Sequence, residues 1–312
     1  MDAVDARSLS FVSHALVPGA QEHNKIISTS LTADLLRALA AVHGRGRRAH
    51  EPQALVTPYQ RPFQLGQLSL ELVPSGHVLG GASLLIRHEG QTIVYAGDIN
   101  PRASRLADRL VARPCEVLAL PCRLCQRQFV LPPAEEVERA VVRFVSDALD
   151  RRQTPVLLCS PLGEAQELAD LLLKQGVKVQ AHRQIHKVCQ VYREAGLGLD
   201  GVRYFRQPPP RGALLWPMEL HASPTLDRLQ QRRTALVSGL ALDPRVAGRV
   251  GCDTTFPIAS RADYQGLLEY VRACKPSRVV LVGTEVGDLQ DDLRGLGLAV
   301  ATTASPRQMA LF

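Results

Sequence analysis

Hydrophobic positions along the chain follow two rhythms. Short apolar runs at 9–12, 54–56, 68–73, 83–86 and 92–96 fit strands. In LSLELV (68–73) and across 83–98, apolar and polar positions alternate with period two. Glu89 and Gly90 stand between the last two runs as a tight turn, which predicts a hairpin. Across 32–42, Leu35, Leu36, Leu39 and Val42 recur at helical spacing and Gly44 follows, which predicts a helix with its stop signal.

The texture changes near residue 115. Pro132 and Pro133 open a helix that runs to about Leu149, with Glu135, Glu136 and Glu138 in its first turns, where the helix dipole favours acids. Strand-like and helix-like segments then alternate. PVLLCS, KVQAH and RGALLW read as strands, separated by helices at 163–174 and 185–194 and by an extended surface connection, RQPPPRG, at 206–212. ALVSGL, RVVLVG and LGLAVAT follow as strands, with helices at 263–273 and 286–293. Such a run of βα units predicts an α/β fold with a parallel sheet. The closing SPRQMALF follows no core pattern.

Composition narrows the function classes. The 312 residues contain no apolar run of 18, which excludes a membrane-spanning helix and leaves no membrane partner to expect. The amino terminus lacks a basic stretch followed by an apolar one, so no secretory signal is read. Seven cysteines at irregular spacing give reduced thiols and a cytoplasmic setting. The CRLC pair, Cys122 and Cys125, lacks a second pair and reads as packing thiols. A formal charge of +7, carried mainly by arginine, suits a polyanion such as DNA or RNA. In HGRGRR, Arg45, Arg47 and Arg48 form a basic loop, either solvated or in contact with phosphate. Aromatic residues are only 4% of the chain, which argues against a surface built to stack many bases.

One segment carries more than composition. PSGHVLGGASLLIRHEGQTIVYAGDIN (74–100) places a His just after a strand, then small residues, a hairpin and a Gly-Asp at a strand end. It resembles the third and fourth metal-binding motifs of metallo-β-lactamase-fold nucleases. PCEVLALPCRLCQRQFVLPP, PVLLCSPLGEAQELADLLLKQGVKVQAH and VYREAGL resemble the inserted domain of the β-CASP subgroup. CDTTFPIASRADYQGLLEYVRACKPSRVVLVGTEV is similar to the last motifs of that family. Within it, the bacterial exonuclease that accompanies an ATP-dependent DNA ligase and a helicase, often labelled mRNA 3′-end-processing-like, is the nearest pattern. The resemblance spans about residues 8–303. It implies a metallo-β-lactamase-like αββα sandwich in two parts, 1–121 and 234–303, with a β-CASP-like α/β insertion at 122–233 and a tail at 304–312.

Such nucleases hold two zinc ions, because a hydroxide bridging two cations is a strong nucleophile at neutral pH and the cations absorb phosphate charge. The family's first motif is His-x-His-x-Asp-His. In SFVSHALVPGA, His14 stands at its first position, and Leu16, Pro18 and Gly19 stand at the others. His77 and Asp98 match the next two ligands. The family's Ser-Asp-His-Ala-Asp falls on Ala259, Ser260, Arg261, Ala262 and Asp263, its final ligand His on Gly283, and the acid that opens the insertion near Pro121. His14, His77 and Asp98 therefore form a remnant metal set, and no catalytic residue is assigned. The structural alternative is a His in a Gly-rich turn and an Asp at a strand end bonding neighbouring backbone.

The resemblance implies a pseudonuclease: an accessory protein of DNA repair or processing, with no resident cofactor, that binds nucleic acid or a partner nuclease, ligase or helicase. Its rival is an active zinc-dependent exonuclease or hydrolase with a rearranged mononuclear site. The tail adds a partner. Gln308, Met309, Ala310, Leu311 and Phe312 are similar to the pentapeptide by which polymerases and repair proteins bind the DNA sliding clamp. Leu311 and Phe312 would be the paired apolar anchors in its groove.

Overall fold

A computed structural model describes residues 1–3, 5, 7–43, 52–208, 211–283 and 286–303. The basic loop with Arg45, Arg47 and Arg48, and the tail residues 308–312, lie outside the described residues. The chain divides into two units, Met1–Val130 with Arg261–Phe312, and Leu131–Ser260.

In the first unit, β1 (Leu9–Phe11), β2 (Lys25–Ser28) and β3 (Gln53–Val56) form a parallel three-stranded sheet, with α1 (Ser30–His43) between β2 and β3. Then β4 (Phe63–Leu65), β5 (Leu68–Pro74), β6 (Ala82–His88) and β7 (Gln91–Tyr95) pair antiparallel, and β8 (Val117–Pro121) joins β7 in parallel. The predicted hairpin is β6–β7. His88 lies opposite Gln91, and Glu89 and Gly90 both take positive φ, 47° and 79°. Two left-handed residues give a turn whose twist matches that of the strands.

The chain then builds the second unit through α2 (Ala134–Asp150), β9 (Thr154–Cys159), α3 (Glu164–Lys174), β10 (Lys178–Ala181), α4 (Arg183–Glu194), β11 (Val202–Tyr204), β12 (Gly212–Pro217), α5 (Pro224–Asp227), β13 (Arg232–Val237), α6 (Pro244–Val250) and β14 (Thr254–Phe256). Its six strands are all parallel, in the order β11-β10-β12-β9-β13-β14. β12 is buried along its whole length and β9 along nearly all of it, as expected of central parallel strands covered on both faces. α2 turns Val137, Val141, Phe144, Val145 and Ala148 inward as one stripe.

Back in the first unit, α7 (Tyr264–Cys274), β15 (Arg278–Val282), α8 (Gly287–Gly295) and β16 (Ala299–Thr303) complete the chain. β15 pairs in parallel with β8 and β16, giving a seven-stranded sheet, β16-β15-β8-β7-β6-β5-β4. Its core includes Leu85, Val94, Leu118, Leu120, Val279 and Leu281.

The fold is thus a mixed α/β one with several sheets, and the second unit interrupts the first. The insertion was expected over 122–233, and the second unit comprises Leu131–Ser260. Cys125 belongs to the same buried cluster of the first unit as Cys115 and Tyr264. β13 pairs with β9 and β14 with β13, and both strands lie in the second unit. All seven cysteines are free thiols. No described helix is long and apolar enough to cross a membrane.

Candidate functional site

Three loops of the first unit bring His14, His77 and Asp98 together. His14 lies in the turn after β1, and the Ala82 amide donates to the Ser13 carbonyl (2.9 Å), tying that turn to the start of β6. His77 sits between β5 and β6, in a loop closed by the Ser75 amide on the Gly81 carbonyl (3.1 Å). Asp98 follows β7. Glycines set these approaches. At Gly76, with φ +73°, a Cβ would lie 2.1 Å from the Asn100 carbonyl oxygen. At Gly97, with φ +62°, it would lie 2.7 Å from the Ser13 Cβ. A side chain at either position would push the loops apart.

The ligating atoms of the three residues lie within 4.8 Å of one another, and all three side chains are buried. The His14 Nδ1 accepts the Leu16 amide (3.2 Å), so the ring presents Nε2–H to Asp98 Oδ2, 3.2 Å away. His77 Nε2 lies 3.9 Å from the same oxygen, and its ring stands nearly perpendicular to that of His14, with centroids 4.8 Å apart.

Two arginines complete the site. The Ala262 amide donates to the Ile99 carbonyl (2.6 Å), which lays Arg261 alongside Asp98. Arg261 Nε then donates to Asp98 Oδ2 at 2.7 Å, and Arg123 Nε faces Asp98 Oδ1 at 3.5 Å. Burial by itself would push the Asp98 carboxyl up. The Arg261 guanidinium, then His14 and Arg123, outweigh it and hold the group well below the usual carboxylate range. Asp98 is therefore a buried, ionised carboxylate facing two guanidinium groups.

A second carboxylate lies beside this cluster. Asp2 accepts from the Ser13 amide (2.7 Å), the Ser13 hydroxyl and the Tyr95 hydroxyl (3.0 Å). Burial pushes its carboxyl up, partly offset by His14 and by these hydrogen bonds.

At the other family positions, Leu16, Pro18 and Gly19 occupy the turn after His14 and bring no side-chain donor for a metal. Pro121 and Gly283 are neighbours across the β8–β15 ladder, where Val282 pairs with Pro121 and the Cys122 amide donates to the Val282 carbonyl (2.9 Å). Sequence reasoning missed Arg123, which sits inside the CRLC stretch, and Asp2, which carries no local signal at all. It placed Arg261 at a ligand position without foreseeing its ion pair.

Comparison with known proteins gives the following. No family model matches. A probable DNA ligase of Opitutus terrae is 30% identical over the whole of this chain, which covers 30% of that protein. The transcription termination factor FttA of Methanocaldococcus jannaschii is 35% identical over 35% of this chain and 18% of its own length. An RNase J-like protein of the same organism is 28% identical over 30% of this chain and 23% of its own length. The chain thus spans less than a third of each of these curated relatives. At modest identity, they support kinship with the β-CASP group of metallo-β-lactamase-fold proteins. In fold, a crystal structure of a protein of unknown function from Enterococcus faecalis aligns with a TM-score of 0.62 at 14% identity, over 88% of this chain and 74% of that one.

Proposed function

We propose that this chain is a nucleic-acid-binding pseudonuclease of the β-CASP group, on a metallo-β-lactamase-like sandwich whose metal centre has become an arginine–carboxylate site. The observation that carries this reading is the double engagement of Asp98 by Arg261 and Arg123. A carboxylate that ligates a metal needs its lone pairs turned to the ion. Here both oxygens face guanidinium groups, and among the described residues the cluster's further donors are two imidazoles. That set does not fit a two-zinc centre, which needs more donors than three.

Arg261 and Arg123 set two guanidinium groups against the one carboxylate of Asp98. Guanidinium groups pair with phosphate oxygens through directed hydrogen bonds, so a phosphodiester is the ligand this chemistry favours. The relatives agree in kind, since their names place them with DNA or RNA processing. In this reading the protein serves DNA repair or processing beside an active nuclease, ligase or helicase. Residues 308–312 dock it on the sliding clamp.

The test uses the full chain with labelled single- and double-stranded DNA and RNA, in added zinc or manganese. The expected result is binding that falls steeply with salt, as counterion release requires, and no cleavage. Metal-dependent cleavage that His77→Ala abolishes would overturn the reading in favour of a mononuclear hydrolase built on His14, His77 and Asp98. For the clamp, immobilised sliding clamp of the same organism should capture the full chain and not a chain lacking Leu311 and Phe312. Equal capture of both, or of neither, removes the clamp from the account.

A further inference from the structure

The second unit gathers aromatic rings at the carboxyl ends of neighbouring parallel strands. Ala181, at the end of β10, pairs with Tyr204 on β11 and with Leu215 on β12. His182, Tyr204, Phe205 and Trp216 therefore emerge at the same edge of the sheet. His182 packs on Trp216 with centroids 4.6 Å apart, and Phe205 packs edge-on to Trp216 at 5.6 Å. One turn into α4, His186 lies 5.9 Å from Tyr204. Trp216 is buried, whereas Tyr204 is 43% exposed. The rings fall into two groups, His182, Trp216 and Phe205 in one and His186 with the solvent-facing Tyr204 in the other.

Cations surround the outer rings. Burial first, then the charges of Lys187, Arg193 and Arg203, push the His186 imidazole down, which leaves its ring uncharged at neutral pH. Lys187, Arg203 and Arg206 form no salt bridge among the described residues. A single exposed tyrosine is ordinary on a soluble protein. An exposed tyrosine beside an imidazole, with Arg203 and Lys187 as chain neighbours of the two rings, has a narrower use. Bases offer π faces and their backbone offers phosphates, so the two halves of this surface match one ligand. In open α/β sheets the carboxyl ends of the strands are also where loops are free to receive ligands.

We propose that Tyr204 and His186, with Arg203 and Lys187, form a stacking platform for single-stranded nucleic acid. One base lies on the Tyr204 ring, and the two cations hold the flanking phosphates. A duplex cannot use this platform, because its bases are already stacked on one another. The platform lies wholly within residues 131–260. It goes beyond the arginine–carboxylate site and does not depend on it.

Trp216 is the only tryptophan in the chain and packs on Phe205, the residue that follows Tyr204, so its fluorescence is a second readout close to the platform. The full chain is titrated with a short oligothymidylate, an abasic strand of equal length and a duplex. Oligothymidylate should change the Trp216 emission and bind more tightly than the abasic strand. Tyr204→Ala should weaken oligothymidylate binding by about tenfold and leave abasic binding unchanged. Tyr204→Phe should retain most of the affinity. Arg203→Ala should weaken both strands and flatten the salt dependence. The emission of each variant without ligand checks that its fold is intact. Equal binding of oligothymidylate by the parent and Tyr204→Ala, equal affinity for the oligothymidylate and abasic strands, or no oligothymidylate binding at all overturns the proposal. Failure of the other site reads differently, as duplex affinity unaffected by Arg261→Ala.

Discussion

Asp98 and Arg261 form the energetic centre of the site. Removing one partner of a buried ion pair leaves the other charge desolvated and poorly matched, which costs more than the pair itself contributes. The Arg261 side chain is 27% exposed and Arg123 stays nearby, so part of that cost is relieved. Arg261→Ala should destabilise the protein by about 1–3 kcal/mol in urea unfolding. Adding Asp98→Asn should recover part of the loss, because the stranded charge is then gone. Equal stability of Arg261→Ala and the parent, or a further loss in the double variant, contradicts this account of the pair. The sequence could not show this arrangement. It singled out His14, His77 and Asp98 only through their family positions, and the structure brings them within reach of one another. Arg123 was hidden in a stretch that reads as thiols. Asp2 meets Ser13 and Tyr95 across 11 and 93 residues of chain, a distance no local pattern spans.

At the scale of elements, the loops carrying the site depend on glycines in the left-handed region. Gly76 and Gly90 have nearly the same φ, +73° and +79°. They differ in surroundings. A Cβ at Gly76 would collide with the Asn100 backbone, whereas one at Gly90 meets open space. Both alanine variants incur the conformational cost, about 1 kcal/mol, and only Gly76→Ala adds the clash. We expect Gly76→Ala to lower the urea midpoint clearly more than Gly90→Ala. Equal shifts would mean that the close approach of the 75–77 loop to Asn100 contributes nothing. The β6–β7 hairpin was legible in advance because its period-two alternation and its turn residues agree. α1 was legible through its apolar spacing and α2 through its Pro-Pro start and early acids, since each signal lies within one segment. β2, β4, β11 and β14 were not. Each is three or four residues long, as in KIIS, FQL, VRY and TTF, too short to show a period. Their pairing comes from strands distant in sequence, as when β2 meets β1 and β3.

For the whole molecule, alternation of βα units announced a parallel sheet, and residues 131–260 hold one of six strands. The limits of the units were harder to read. ALVSGL was expected to open the returning part at 234–303, and its strand pairs with β9 within residues 131–260. The formal charge of +7 suits a polyanionic ligand, but charge alone does not separate a nuclease from a protein that only binds. The central claim of the proposal is that arginine charge stands at Asp98, at a position where the resembled nuclease motif implies a metal ligand. The most direct measurement is elemental analysis of the full chain, purified without chelator and dialysed against zinc-containing buffer. We expect well under one zinc per chain, with the same value for His77→Ala and Asp98→Asn. Close to two zinc per chain, lost in those variants, would contradict the account.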